Sequence, residues 1–436
     1  MTRRPSSRAL GFWMCLALVV GNMIGSGVFL LPASLAPYGW NALFGWLVTI
    51  AGALCLAFVF ARLAAALPEA GGPYAYARAA FGPTAGFIVA WSYWVMLWSG
   101  NGAVAVAVVS GIGLLLPQIG AQPGLPALLA VILVWGVTAI NIYGVATAGR
   151  VQVVTTALKL LPLFAVVVLA ILILSDKGAA AVAPWRPDTI GLGAVATTAA
   201  LTFWGFLGLE SATVPADQVE DAANVIPRAT LWGTALTGLV YVLVCSAVTL
   251  LMPADIAASS PAPIAEFIGL RWGNGAADLV ALFAAISAFG TLNGFVLVQG
   301  EMPWAMARGG VFPAWLGKSS RRGTPARAHI VSSSLLTVIM LMNYSHGMTE
   351  LFSKIALVSI AAGLVSYLLS ALAAIKLLRS PGVTAAAIAA ALFTLWTLYG
   401  TGTEAVAWGA VLLVAGLPIL LWVRRAGRPS ADATAG

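Results

Sequence analysis

The stretch Gly21-Asn22-Met23-Ile24-Gly25-Ser26-Gly27 interrupts an otherwise apolar run from Leu10 to Leu35. Two glycines flanking a serine are a poor way to continue a helix, because glycine loses the most backbone freedom on ordering and packs no side chain. In hydrocarbon, backbone groups freed by such a break persist only where they line a cavity or bind something. A break of this kind near mid-membrane is the device by which secondary transporters hold a substrate. The stretch therefore points to a binding site embedded in a membrane.

Composition agrees. Hydrophobic residues make up 61% of the 436 and charged residues only 8%, with a mean hydropathy of +0.97. A soluble domain carries roughly 25% charged residues, so this chain is expected in a bilayer. Its 46 glycines and 16 tryptophans suit close helix packing and interfacial aromatic belts. The net charge of +8 does not describe a nucleic-acid surface, because the basic residues lie between hydrophobic spans. Met1 to Arg8 is expected to be a short basic leader rather than a cleaved signal, since the span after it is too long and carries the break itself. Cys15, Cys55 and Cys245 are scattered through apolar spans and offer neither a disulfide frame nor a metal spacing.

Turn-rich or charged breaks divide the chain into twelve expected spans, at about 11–35, 42–67, 85–116, 126–147, 151–174, 192–214, 229–252, 277–302, 327–343, 351–378, 383–400 and 404–424. Nothing between them is long enough for a soluble domain, so residues 1–436 read as one transmembrane domain. Of the 22 Lys and Arg residues, 17 fall at the termini and in alternate loops. They include Arg3, Arg4 and Arg8 before the first span, Arg78, Arg150, Arg228, Arg308, Arg321 and Arg322 between spans, and Arg424, Arg425 and Arg428 after the last. The opposite loops Ala36–Asn41 and Pro117–Gly124 carry no charge, which predicts both termini on the cytoplasmic side of a bacterial inner membrane. Span 6 repeats the break of span 1: Trp204-Gly205-Phe206-Leu207-Gly208-Leu209-Glu210 combines two glycines with a carboxylate. Paired interruptions five helices apart are the sequence sign of an inverted repeat.

With these residues in view, the chain resembles the amino acid–polyamine–organocation superfamily, most closely the bacterial arginine/agmatine antiporters among the basic amino acid/polyamine antiporters. The resemblance is carried by Gly21 to Pro32 (GNMIGSGVFLLP), Gly45 to Ile50 (GWLVTI), Gly71 to Arg78 (GGPYAYAR) and Tyr93-Trp94. It continues through Gly100-Asn101, Trp204 to Ala212 (WGFLGLESA), Ile226 to Thr230 (IPRAT) and Gly310 to Pro313 (GVFP), covering essentially the whole chain. It implies an all-α membrane protein of twelve transmembrane helices in a LeuT-like 5+5 inverted repeat. Helices 1 and 6 are discontinuous. Repeat one covers about 11–174, repeat two about 192–378, and two additional helices about 383–424.

An amino acid brings both a carboxylate and an ammonium into a low-dielectric region, and each needs a partner. The N–H groups around Ser26 and Gly27, opening a half-helix, can donate to the carboxylate with help from the local dipole. Carbonyls freed at Met23 and in the Phe206–Leu207 region can accept from the ammonium. The resemblance gives these positions the same roles. It also makes Trp204 a lid over the bound side chain, and Asn101 a contact for the distal end of a basic substrate. Glu210, the one carboxylate expected deep in a span, is by itself a functional candidate. The resemblance pairs it with Tyr93 and Tyr367 as a gate on the cytoplasmic side; capping the second half of span 6 is an alternative, compatible role.

Two departures bear on substrate and coupling. Lys159 falls nine residues after Arg150, or roughly 13 Å along a helix and near the bilayer centre. The arginine/agmatine antiporters are apolar there, whereas other branches of the superfamily carry a lysine where related symporters hold sodium. This implies a sodium-independent carrier in which Lys159 is either a fixed strut or a residue that senses or moves a proton. In the side-chain pocket, Phe295 replaces a tryptophan, Met96 and Leu97 replace smaller residues, and Val104 replaces a methionine, while Ser359 keeps the hydroxyl. A phenyl face attracts a cation less well than indole, so the pocket is more apolar than one built for arginine.

Other signals carry less. Gly191-Leu192-Gly193-Ala194-Val195-Ala196 follows no soluble strand, so it is no dinucleotide site, and no ATP-binding GxxxxGK[ST] sequence occurs. His329 and His346 are expected to be solvated or interfacial residues. No cofactor and no catalytic residue is expected. The reading is a secondary amino acid/amine antiporter in contact with membrane lipid, with homodimer formation open. A proton-coupled transporter or exporter of neutral amino acids is the alternative, and a non-transporting amino acid receptor is a third class.

Overall fold

A computed structural model describes residues 10–116, 118–122, 124–260, 262–342 and 348–426. Arg3, Arg4, Arg8, Arg428 and His346 of the sequence reading lie outside the described residues, as does the side chain of Ser26. The helices in chain order are α1 (Phe12–Met23), α2 (Ser26–Leu35), α3 (Trp40–Ala66), α4 (Pro73–Phe81), α5 (Pro83–Leu115), α6 (Gln118–Ala121), α7 (Leu125–Tyr143), α8 (Val145–Lys177) and α9 (Leu192–Phe203). There follow α10 (Ala222–Leu251), α11 (Ala254–Ser259), α12 (Pro263–Trp272), α13 (Asn274–Arg308), α14 (Ala326–Met342), α15 (Met348–Leu378), α16 (Pro381–Gly400), α17 (Thr403–Ala415) and α18 (Leu417–Ala426). Among the described residues there is no strand, only an isolated parallel bridge between Leu10 and Val219.

Eleven of these segments are long and apolar enough to cross a membrane. The remaining expected span, 327–343, coincides with α14. Its 17 described residues end at Met342, where the described stretch itself ends. Several boundaries move outward from the sequence reading. α8 begins at Val145 rather than 151, directly after the extended Gly144 that ends α7, and α13 runs on to Arg308. Proline opens α4, α5 and α16, positions where its missing N–H costs nothing.

Span 1 is α1 plus α2, and only Ile24 and Gly25 between them leave the helical conformation. Span 6 is α9 followed by a 3-10 turn at Trp204–Phe206, a left-handed Gly208 (φ 101°) and a second 3-10 turn at Ser211–Thr213. These two interrupted spans sit among long unbroken ones: α1 packs on α8, α10 and α13, while α13 lies against α5 and α8. The end of the molecule where the described chain starts is basic. There Arg78 pairs with Glu69 and Arg308 with Asp217, both at 3.1 Å, Arg228 lies over Phe12, and Arg322 over Tyr143.

Close helix approach depends on glycine at specific points. A Cβ at buried Gly52 on α3 would fall into the ring of Phe393 on α16, whereas one at Gly136 on α7 would meet nothing within 4 Å. Gly52→Val is therefore expected to cost about 1–3 kcal/mol by overpacking. Gly136→Ala is expected to gain up to about 1 kcal/mol from helix propensity. Thermal unfolding midpoints in detergent check both, and a neutral Gly52→Val would contradict the α3–α16 packing.

Candidate substrate site at the paired helix breaks

The break in span 1 frees carbonyls that the rest of the molecule must satisfy. Lys159, fully buried on α8, donates from Nζ to the carbonyls of Gly21 (2.8 Å) and Ile24 (2.5 Å) and to Oγ1 of Thr291 on α13 (3.2 Å). Thr291 itself donates to the Gly21 carbonyl at 2.7 Å, and Ser287 reaches Ile24 at 3.4 Å. Lys159 makes no ion pair among the described residues. Its amino group is held instead by carbonyls at the C-terminal end of α1, the end that favours cations. The carbonyl of Met23 accepts from the Tyr241 hydroxyl at 2.6 Å, so a substrate ammonium there would share that oxygen.

The start of α2 is the complementary half. Its N-cap residue is Gly25, which has no side chain to accept from the first-turn N–H groups. These orphan donors form an anion-favouring site at a helix N-terminus. Gly27 follows in that first turn, and a Cβ there would lie 2.9 Å from Cδ1 of Trp204. The indole therefore rests directly on the Gly27 backbone.

A cavity opens at this point, between the two breaks. It is lined by Met23, Gly27, Met96, Leu97, Val104, Trp204, Leu207, Phe295 and Ser359 of the sequence reading. Met96, Leu97 and Val104 share one face of α5 with Tyr93 by their three- and four-residue spacing. Asn22, Gly25, Gly100 and Thr291 also line the cavity and were not foreseen. Asn22 lay in view inside the quoted heptapeptide, and Thr291 sits one helical turn before Phe295. Asn101 is not among the lining residues; its Nδ2 donates to Oε1 of Gln299 at 2.7 Å. Ser359 Oγ lies 2.7 Å from Ser99 Oγ.

Beside the cavity, Glu210 is fully buried and accepts from the hydroxyls of both Tyr93 and Tyr367. The N–H of Gly208 donates to the Tyr367 hydroxyl at 3.1 Å. This brings together α5, α15 and the turn of span 6. Glu210 stands at the N-terminal edge of the short 3-10 turn at Ser211–Thr213.

Glu301, seven residues before the end of α13, is a second buried carboxylate at 1% exposed. One expectation from sequence needs correction. His329 is not solvated but 0% exposed, its ring lying where a Cβ on Gly300 would be. The small residue at 300 admits the ring, a pairing across two helices invisible from either segment alone.

Residues 10–427 match the family model described as amino acid permease. The chain is 32% identical over 385 residues to the cadaverine/lysine antiporter of Escherichia coli K12, covering 87% of this chain and 85% of that protein. It is 32% identical over 395 residues to a putative arginine/ornithine antiporter of Bacillus subtilis, covering 84% of each. With the arginine/ornithine antiporter of Pseudomonas aeruginosa it shares 31% identity over 442 residues, covering 95% of this chain and 90% of that one.

Lys159→Met keeps an unbranched side chain out to Cε but removes its donor, leaving buried carbonyls under-satisfied. We expect a loss of about 1–3 kcal/mol, seen as a lower unfolding midpoint in detergent; an unchanged midpoint would mean that the ammonium does not hold the break.

Proposed function

The chain belongs to the amino acid permease family of the amino acid–polyamine–organocation superfamily, and we propose that it exchanges a basic amino acid for an amine by alternating access. The observation that carries this reading is the cavity between two helix breaks, with orphan N–H groups of α2 on one side and carbonyls of α1 on the other. That pair of poles suits the two charges of an α-amino acid. The substrate carboxylate would lie over the N–H groups of Ser26 and Gly27. Its ammonium would lie near the carbonyls of Met23 and of the Phe206–Leu207 region.

Relatives named for cadaverine/lysine and arginine/ornithine exchange support a basic amino acid with a diamine or a second basic amino acid as the exchanged pair. Arginine with agmatine is the pair that the motifs of the first and sixth spans resemble. Trp204, resting on Gly27, is the outer lid. Glu210 with Tyr93 and Tyr367 closes the inner exit, and Phe295 offers its face to a distal cation. Asn101 and Gln299 form the polar layer behind the pocket. The paired breaks support a repeat of about 11–174 on about 192–378 followed by two helices at about 383–424. The basic end supports cytoplasmic termini in a bacterial inner membrane.

One observation favours a second reading. Lys159 has no carboxylate partner among the described residues, and Met96, Leu97, Val104, Leu207 and Phe295 give the cavity a largely apolar wall. A proton-coupled carrier of neutral amino acids, with Lys159 as the proton-sensitive element, would use both features.

Proteoliposomes separate the two. Labelled arginine or lysine is expected to enter only vesicles preloaded with a basic amino acid or its amine. Labelled leucine entering empty vesicles, faster under an inward proton gradient, would replace exchange with the second reading. In the same assay, Trp204→Leu is expected to cut turnover at least about tenfold while changing the dissociation constant less than about threefold. Normal turnover by that variant would remove the lid.

A further inference from the structure

Behind the cavity wall, four side-chain amides and one hydroxyl run head to tail through five segments. Asn141 on α7 donates from Nδ2 to Oδ1 of Asn293 on α13 at 3.2 Å. Asn293 donates from Nδ2 to Oε1 of Gln152 on α8 at 3.1 Å. Gln152 donates from Nε2 to Oδ1 of Asn22 on α1 at 3.4 Å, and Asn22 donates from Nδ2 to Oγ of Ser211 at 2.7 Å. Every member is at most 2% exposed. Only Asn22 lines the cavity, and Ser211 directly follows Glu210.

The chain has one direction. Each internal amide gives a hydrogen to the next member and takes one from the last, so turning any one of them would set donor against donor. Aligned chains of this kind polarise and strengthen one another in a low-dielectric interior. Side branches anchor it to backbone: Asn141 also donates to the Val137 carbonyl (2.9 Å), Asn293 to that of Ala148 (3.0 Å) and Gln152 to that of Ala17 (3.4 Å). The helices make room for it. A Cβ on Gly294 would overlap the Asn22 amide, and one on Gly21 would overlap Gln152. Plain apolar packing would hold α1, α7, α8 and α13 together without burying four amides, each of which is costly when unpaired.

We infer that Gln152, Asn293 and Asn141 are positioning residues for the substrate site: through this chain they hold the Asn22 amide, and with it the break in span 1, in register with α7, α8 and α13. The inference rests on the exchange reading in that it takes the break as the substrate site. Movement of α1 against those helices breaks or remakes the chain at the Asn22–Gln152 link, its longest hydrogen bond. The site is thereby sensitive to residues that substrate never touches.

Asn293→Leu tests this, with Gln152→Met as a second variant should the first not fold. In purified full-length protein, lysine and arginine binding by titration calorimetry is expected to weaken about tenfold in Asn293→Leu, as for groups coupled in one hydrogen-bond network. Adding Asn293→Leu to Asn22→Ala is expected to cause no further loss, because the chain acts through Asn22. Effects that multiply, or binding unchanged with only a lowered unfolding midpoint, would overturn the inference and make the chain a structural strut. Hydrogen exchange of the substrate-free protein gives a readout independent of transport. Peptides covering residues 17–27 are expected to exchange faster in Asn293→Leu than in the unmodified protein, and equal exchange would overturn the relay. Failure of the unmodified protein to bind lysine, arginine, cadaverine or leucine would instead overturn the exchange reading, and hydrogen exchange alone would then decide the relay.

Discussion

The ammonium of Lys159 lodged against the unwound turn of span 1 is the contact on which the rest of the architecture depends. A helix broken inside a membrane leaves carbonyls without partners, and no bulk water is there to satisfy them. Lys159 answers two of them, at Gly21 and Ile24, and Thr291 supports the same pair from α13. Once these oxygens are held, the two halves of span 1 can stay apart. Their ends then face a common cavity with opposite polarity: donors at the start of α2, acceptors at the end of α1.

Glycine performs a different task at each position of the break. Gly25 has non-helical dihedrals and leaves the first turn of α2 uncapped. Gly27 gives Trp204 a flat seat, and Gly21, still helical, clears space for Gln152. The matching interruption in span 6 differs in build. Its second half is a set of 3-10 turns rather than an α-helix, and its carboxylate is committed to two tyrosines. The two breaks are thus unequal: one leaves backbone poles beside the cavity, the other places the Trp204 indole against it and buries a carboxylate between two tyrosines.

Much of this was legible in the sequence, for identifiable reasons. The break in span 1 announced itself because Gly25-Ser26-Gly27 is a poor continuation of an apolar helix. The one-face spacing of Tyr93, Met96, Leu97 and Val104 follows from helical periodicity. Lys159 stood out because a lysine nine residues inside an apolar run is costly. What sequence did not reveal depends on pairings between distant segments. His329 enters the interior because residue 300 has no side chain. Glu301 is a second buried carboxylate near the end of α13, and Asn101 gives its Nδ2 hydrogen to Gln299 on another helix. The amide chain is likewise spread over five segments, and no one of them carries a pattern that signals the other four.

If substrate sits at the Lys159-held break, a structure of the protein with bound lysine will show it there. Ligand density is expected between Gly27 and Trp204, with the α-carboxylate over the first turn of α2 and Nζ of Lys159 still on Gly21 and Ile24. Lysine bound elsewhere, with α1 and α2 rejoined as one continuous helix, would contradict it.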